Sequence, residues 1–428
     1  MDRIQGGRWE RAHLAGNKCW PRPRIALYSP GMVGLGHMRR NLLIAQTLQC
    51  SDLQPVILMI AEAREAGAFT TPPGMDCLTL PSLRKDEDGQ CRPRHLDVPV
   101  EDLVALRENV IAASMEAFEP DVLIVDHLPR GALRELEPAL EYLRSRKHTQ
   151  CVLGLRDVLE DPETVEHRWF QDASEDAIRD YYDAVWVYGD PVVYDAVREY
   201  GFSPDVAAKT CHTGYFDQRV RLQFAESEDP DPLSTLGLPP GRLVLCLVGG
   251  GADGARLAET FVHTDLPAET NGVIVTGPFM PRDALLRLRE RASIQPRLRV
   301  LQFVTEPAVF LKQADRVIAM GGYNTVCEVL SFEKPALIVP RVRRAPEQMI
   351  RAERLRELGL IDVLPPDDVS TDRLSEWLAR PKEPPQARGL INFNGLCRLT
   401  EFLEEMLAGN VRRMPSRPHE NRSKHVAS

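Results

Sequence analysis

The chain has 428 residues, 43% hydrophobic and 27% charged, enough for a sizeable core and, by length, for two domains. A net charge of −9 and a pI of about 5.7 argue against a nucleic-acid partner, and no run of 18 apolar residues marks a transmembrane helix. Nine scattered cysteines without a C-x-x-C pair fit a reducing cytoplasm better than a disulfide framework or a zinc site.

Residues 1–22 carry Arg and Lys but no apolar segment, so they read as a disordered basic arm and not as a signal peptide. The first strand is Arg24–Ser29. It runs into the Gly-rich turn Gly31-Met32-Val33-Gly34-Leu35-Gly36-His37 and a helix from Met38 to Cys50. Strand, glycine turn and helix make a Rossmann-like opening. The spacing is not the dinucleotide fingerprint, and no acidic residue closes the second strand, Val56–Ile60, so no nicotinamide or flavin site is read. Strands are expected at Met75–Leu80, Val122–Asp126, Cys151–Leu155, Ala184–Tyr188 and Ala207–His212. Helices are expected at Val100–Phe118, Arg130–Arg146 and Pro191–Tyr200, with a charged loop over 84–98.

The acidic, Pro-rich segment 218–241 reads as a linker between domains 23–217 and 242–388. The pattern restarts with Leu243–Val248 and Gly249-Gly250-Gly251, then strands at Val273–Thr276, Leu298–Phe303, Val317–Met320 and Ala336–Val339. An amphipathic helix at Asn392–Ala408, within 389–410, is followed by a basic tail, 411–428. Such alternation predicts an α/β chain of two Rossmann-like domains, each with a doubly wound parallel sheet.

The most specific stretch is Val317–Leu364. Gly321-Gly322 lets backbone approach a ligand closely, and the helix that follows offers free N–H groups to an anion. Glu328 on that helix can accept hydrogen bonds from a pair of neighbouring hydroxyls, and Glu347-Gln348 can do so at the next helix. The plain alternative is a βα unit with a solvent-facing Glu. The ordered set GGYNTVCE, KPALIVPR and PEQ is much harder to obtain by chance.

In that set the chain resembles the nucleotide-binding half of GT-B glycosyltransferases, closest to the type that transfers N-acetylglucosamine onto a lipid intermediate of peptidoglycan. The resemblance covers about residues 24–408. It implies two Rossmann-like domains facing across a cleft, an acceptor domain first and a nucleotide-sugar domain second, with the last helix crossing back onto the first domain. It implies a UDP-linked donor of a hexose or N-acetylhexosamine, direct displacement with inversion, no cofactor, and a cytoplasmic protein with peripheral membrane association. The acceptor is left open among small molecules, lipid-linked groups and glycans, and the family's frequent Gln-Gln or Asp-Gln at Glu347-Gln348 leaves the sugar open. Donor contacts are expected at Gly249, Gly250, Gly251, Phe303, Val304, Gly321, Gly322, Asn324, Thr325, Glu328, Glu347 and Gln348.

Gly249–Gly251 is read as a diphosphate cradle. Asp253 would repel a diphosphate and is read as a helix cap. Arg341, Arg343 and Arg344 would neutralise the leaving diphosphate or be solvated surface charge. His37, at the end of the first strand, is a candidate general base or phosphate contact, the alternative being a helix-capping histidine. Asp126 and His127 close another strand at the same edge. Neighbouring strand residues point to opposite faces, so a cross-strand partner for Asp126 is favoured over His127. Arg156-Asp157 repeats this pattern. The triplets Asp86-Glu87-Asp88 and Asp229-Pro230-Asp231 fall in charged loops and read as solvated, so no metal site is expected. The rival readings are a nucleotide-sugar epimerase or hydrolase on the same scaffold, and a non-catalytic donor-binding subunit.

Overall fold

A computed structural model describes residues 22–30, 36–62, 71–85, 90–225, 233–251, 253–341 and 346–408. The Gly31–Leu35 part of the first turn, both acidic triplets, Arg343, Arg344 and most of the two terminal segments lie outside the described residues.

The N-terminal half has strands β1 (Arg24–Ser29), β2 (Val56–Ala61), β3 (Met75–Thr79), β4 (Leu83–Lys85), β5 (Cys91–Pro93), β6 (Val122–Asp126), β7 (Gln150–Arg156), β8 (Ala184–Tyr188) and β9 (Thr210–His212). Its helices are α1 (Gly36–Cys50), α2 (Val100–Phe118), α3 (Glu137–Arg146), α4 (Pro162–Gln171), α5 (Ser174–Tyr181), α6 (Ala196–Glu199) and α7 (Pro204–Lys209). Seven strands form one parallel sheet in the order β3-β2-β1-β6-β7-β8-β9. The apolar runs VLIV of β6 and CVLGL of β7 are buried along their length, as expected for strands covered by helices on both faces.

The C-terminal half has β10 (Arg242–Leu247), β11 (Thr270–Val275), β12 (Leu298–Leu301), β13 (Arg316–Met320), β14 (Ala336–Val339) and β15 (Asp362–Val363). They form a parallel sheet in the order β12-β11-β10-β13-β14-β15. Its helices are α8 (Ala255–Val262), α9 (Arg282–Ser293), α10 (Ala308–Gln313), α11 (Tyr323–Ser331), α12 (Pro346–Glu357), α13 (Thr371–Ala379), α14 (Ala387–Leu390) and α15 (Gly395–Leu407). No helix among the described residues is long and apolar enough to cross a membrane.

In each sheet the chain builds outward one way and then restarts on the other side of its first strand. The reversal falls between β1 and β6 in the first sheet and between β10 and β13 in the second. Ligands of open α/β sheets bind outside the strand carboxyl ends at such a reversal. His37 and Asp126-His127 stand at the first reversal, and the two glycine turns, 249–251 and 321–322, stand at the second.

The last helix carries a stripe of Leu396, Leu399, Phe402, Leu403 and Met406, all buried. It packs on α1 and sets Phe402 against Trp186 of β8, with ring centroids 5.9 Å apart. Asn392 N–H donates to Asp190 (2.7 Å), and the Tyr215 N–H donates to the Asn392 carbonyl (2.8 Å), so the segment leading into the last described helix is stitched onto the first domain.

Some local expectations differ from the structure. The helix expected over Arg130–Arg146 is broken, because Leu133 and Arg134 take left-handed backbone angles and the helix restarts with Pro138 in its first turn. In Pro191–Tyr200 the Asp190 carboxylate holds a turn by accepting from Val192 N–H, and helix begins only after the Asp195 cap. Ser203-Pro204 starts a short helix, so the strand expected from Ala207 begins at Thr210. The charged loop 84–98 contains the β4–β5 hairpin.

Candidate functional site

The N-terminal wall is built at the ends of β1, β6, β7 and β8. Asp126, the last residue of β6, is buried, and Arg40 of α1 donates from Nη2 to both its oxygens (2.5 and 2.6 Å). His37 Nδ1 lies 2.9 Å from Asp126 Oδ2. A carboxylate that already accepts from arginine can only accept from the ring as well, so Nδ1 carries the proton and Nε2 the lone pair. The 3.0 Å approach of Arg40 Nη2 to His37 Nδ1 is then a contact and not a hydrogen bond. Burial alone would raise the Asp126 carboxyl, but the charge of Arg40 and the contact with His37 hold it well below the usual carboxylate range. Burial lowers the His37 pKa from its ordinary 6.5, against the raising pull of Asp126, so the imidazole is neutral at working pH.

Asp126 is therefore held by His37 and Arg40, both on helix α1 and not on a neighbouring strand, and not by its neighbour His127. The His127 backbone is left-handed, at φ 73°, a conformation that costs a non-glycine residue about 1–3 kcal/mol. Its N–H donates to the Gly154 carbonyl (2.8 Å), and its ring lies 5.5 Å from that of His37. Gly154 is dictated by packing: a Cβ there would sit 2.1 Å from Tyr188 Oη.

The C-terminal wall is built on the two glycine turns. Gly249 and Gly251 have positive φ, and a Cβ on Gly251 would lie 2.1 Å from the Thr276 carbonyl, so the turn admits no side chain there. At α11 the cap position, Gly322, has no side chain to satisfy the first N–H groups, and no acidic residue lies in the first turn. That leaves a positive helix end at the sheet reversal. Asp253 does not cap α8, whose cap position is Gly254; it pairs with Arg341 Nε at 3.2 Å. Arg341 thereby stands beside the first glycine turn, and its N–H donates to Gln348 Oε1 (3.1 Å). Phe303 is partly exposed and Val304 half-buried beyond β12.

The two walls touch. Asn324 Nδ2 donates to the Gly36 carbonyl (2.8 Å), and Tyr323 Oη donates to the Tyr188 carbonyl (2.6 Å). The N-termini of α1 and α11 thus face each other. Glu328 is buried and pairs with Arg39 of α1 (3.0 Å), with Glu306 and Arg221 beside them. Burial raises the Glu328 carboxyl and, with the Arg39 charge, lowers the Arg221 guanidinium to about 10. Glu347, Gln348 and Arg351 share one buried face of α12. Arg351 grips Asp157 through Nε (2.9 Å to each oxygen) and Nη2 (2.8 Å), while Tyr215 Oη donates to the same carboxylate (2.8 Å).

Arg39, Arg40, Tyr188, Tyr323 and Arg351 carry no site motif in the sequence. The double arginine after His37 was the one local signal. Tyr188 and Tyr323 lie on elements whose apolar pattern is that of core, Arg351 on a mostly charged helix, and only the meeting of the two halves brings them together.

Residues 245–389 match the Glycosyltransferase family 28 C-terminal domain. The UDP-N-acetylglucosamine–N-acetylmuramyl-(pentapeptide) pyrophosphoryl-undecaprenol N-acetylglucosamine transferase of Opitutus terrae is 30% identical over 125 residues, 28% of this chain and 33% of that protein. The chain thus spans about a third of the length of that curated relative. The glycotransferase of kitacinnamycin has a similar structure, with a TM-score of 0.60 at 18% identity, covering 90% of this chain and 100% of that one. The UDP-GlcNAc 2-epimerase from Neisseria meningitidis, bound to UDP-GlcNAc, gives 0.59 at 12% identity, covering 91% and 100%.

The fold with its two facing sheet reversals is GT-B, an architecture that glycosyltransferases and epimerases share. Its C-terminal half resembles the family 28 domain in particular, and the whole GGYNTVCE-to-PEQ stretch lies inside the matched residues.

Proposed function

We propose that the protein is a glycosyltransferase that moves a hexose or N-acetylhexosamine from a UDP-linked donor to an acceptor hydroxyl, with inversion. The observation that carries this reading is the family 28 match over the half that holds both glycine turns, set against a wall with a neutral, carboxylate-oriented histidine. The epimerase reading shares the fold but lacks that sequence match.

In this mechanism Nε2 of His37 takes the proton of the acceptor hydroxyl as it attacks the anomeric carbon, and Asp126 stabilises the imidazolium that forms. The uncapped N–H groups of α11, the 249–251 turn and Arg341 meet the charge that develops on the leaving diphosphate. Because that charge is met by protein groups, the transfer is read as metal-independent: turnover measured after exhaustive EDTA treatment equals that of untreated enzyme. Abolition by EDTA with rescue by magnesium or manganese would overturn this part of the reading. A lipid-linked acceptor, as the relative's name describes, would bring the protein to a membrane face from the cytoplasm.

Glu328 is assigned to the ribose hydroxyls. In this structure its buried carboxylate is ion-paired with Arg39. A ribose therefore reaches it only as Arg39 lets go, which links donor binding to the separation of α1 from α11. A charge-assisted hydrogen bond is worth about 1.5–3 kcal/mol. Glu328→Ala is accordingly expected to weaken UDP binding by about tenfold or more in calorimetry. Unchanged UDP affinity with lowered stability would instead make Glu328 a structural partner of Arg39.

A further inference from the structure

Three arginines reach the carboxyl edge of the first sheet. Arg40 is matched by Asp126, and Arg351 by Asp157, each through short hydrogen bonds. Arg156, the last residue of β7, is not so matched. Its nearest carboxylate is Glu347 Oε1, at 3.8 Å and without a hydrogen bond, and its Nη2 reaches only the Leu159 carbonyl at 3.5 Å. Its Nε is buried without a hydrogen-bond partner among the described residues, and the same holds for His127 Nδ1. Gly154 and Arg156 lie on one face of β7 by strand periodicity, and His127 is tied to Gly154 through its backbone N–H. The Arg156 charge acts on the His127 ring, which places the two side chains near each other, with His37 next to His127. Both side chains remain partly exposed, the Arg156 side chain at 18%.

A guanidinium with a free Nε presents a planar fork suited to two oxygens of one anion, and an imidazole N–H beside it supplies a third donor. We propose that Arg156 and His127 form an anion subsite on the N-terminal wall that takes a phosphate or carboxylate of the acceptor, next to the hydroxyl that faces His37. Calling this molecule the acceptor rests on the glycosyl-transfer reading; the anion site itself does not. An anion on Arg156 also releases Glu347, which stands on the opposite wall beside Gln348, to accept hydroxyl groups.

The test is calorimetric titration of inorganic phosphate, glycerol 1-phosphate and glucuronate into the full chain, with and without saturating UDP, for wild type, Arg156→Gln and Arg156→Lys. The expected result is saturable binding of a phosphate or of glucuronate to wild type, with or without UDP. Binding weakens at least tenfold in Arg156→Gln and recovers in part in Arg156→Lys. The more tightly bound probe names the group, phosphate or carboxylate. If none of the three probes binds, or if Arg156→Gln binds them as wild type does, the subsite is refuted. Should Arg156→Gln fail to fold, His127→Gln replaces it, with the same tenfold criterion. UDP binding is read separately: its failure would remove the glycosyl-transfer reading while leaving the phosphate titration to decide on Arg156.

Discussion

Replacing His37 by alanine lowers the rate of sugar transfer by about 10²–10⁴-fold, the usual worth of general acid–base catalysis, while UDP binds as before. The split arises because His37 belongs to the N-terminal wall, whereas the glycine turns and Glu328 belong to the C-terminal one. Asp126→Asn has the same sense, since an amide in that place no longer fixes Nδ1–H or stabilises the imidazolium. The pH profile provides an independent check. A general base works in its neutral form, and burial shifts His37 below 6.5, so the neutral form persists to lower pH than for a free imidazole. Turnover should therefore be flat at neutral pH and fall only as pH drops below about 6.5. A rising limb with its midpoint above 7, or near-normal transfer by His37→Ala, would make His37 structural.

Arg351→Ala is expected to destabilise the chain by about 3–5 kcal/mol, the cost of leaving a buried charge without its partner. Arg351 and Asp157 are both fully buried, and the carboxylate is also bonded by Tyr215, so solvent does not compensate for the loss. The pair joins α12 of the second half to the end of β7 in the first, and the guanidinium lies over the Tyr323 ring, 5.5 Å from its centroid. Its loss should be felt in both halves, as a lower urea midpoint and as faster amide exchange around Tyr188 and Tyr323. Removing both partners, in Arg351→Met with Asp157→Ala, should cost less than the sum of the single changes, because neither charge is then left alone. Additive losses, or a single-variant effect below about 1 kcal/mol, would show that the pair does not hold the two walls together.

The sequence already carried most of what places the site. Apolar runs ending in glycine or in a polar residue marked the strands that flank both sheet reversals, and the order GGYNTVCE, KPALIVPR, PEQ pointed to the C-terminal wall. The pattern favours a cross-strand partner for Asp126 over His127; its partners are His37 and Arg40, both on helix α1. What stayed hidden was long-range. Arg351 and Asp157 are 194 residues apart, and nothing near either of them announces the other. Arg39 and Arg40 are adjacent on a helix that is buried nearly all round, yet one turns to Glu328 and the other to Asp126. That division depends on how the two halves meet, which no local period encodes. The broken helices at Leu133 and at Asp190 have the opposite cause, since backbone angles and a carboxylate-held turn overrode an acceptable helical pattern.

Nucleoside diphosphate binding at the second sheet reversal is the premise of the proposed transfer. It is tested most directly by calorimetric titration of UDP, UDP-N-acetylglucosamine, UDP-glucose, dTDP and GDP into the wild-type chain. One saturable site that prefers the uridine ligands is expected, with protection from amide exchange at residues 249–251 and 321–325. Heats indistinguishable from dilution for all five ligands, with no protection at either glycine turn, would contradict it.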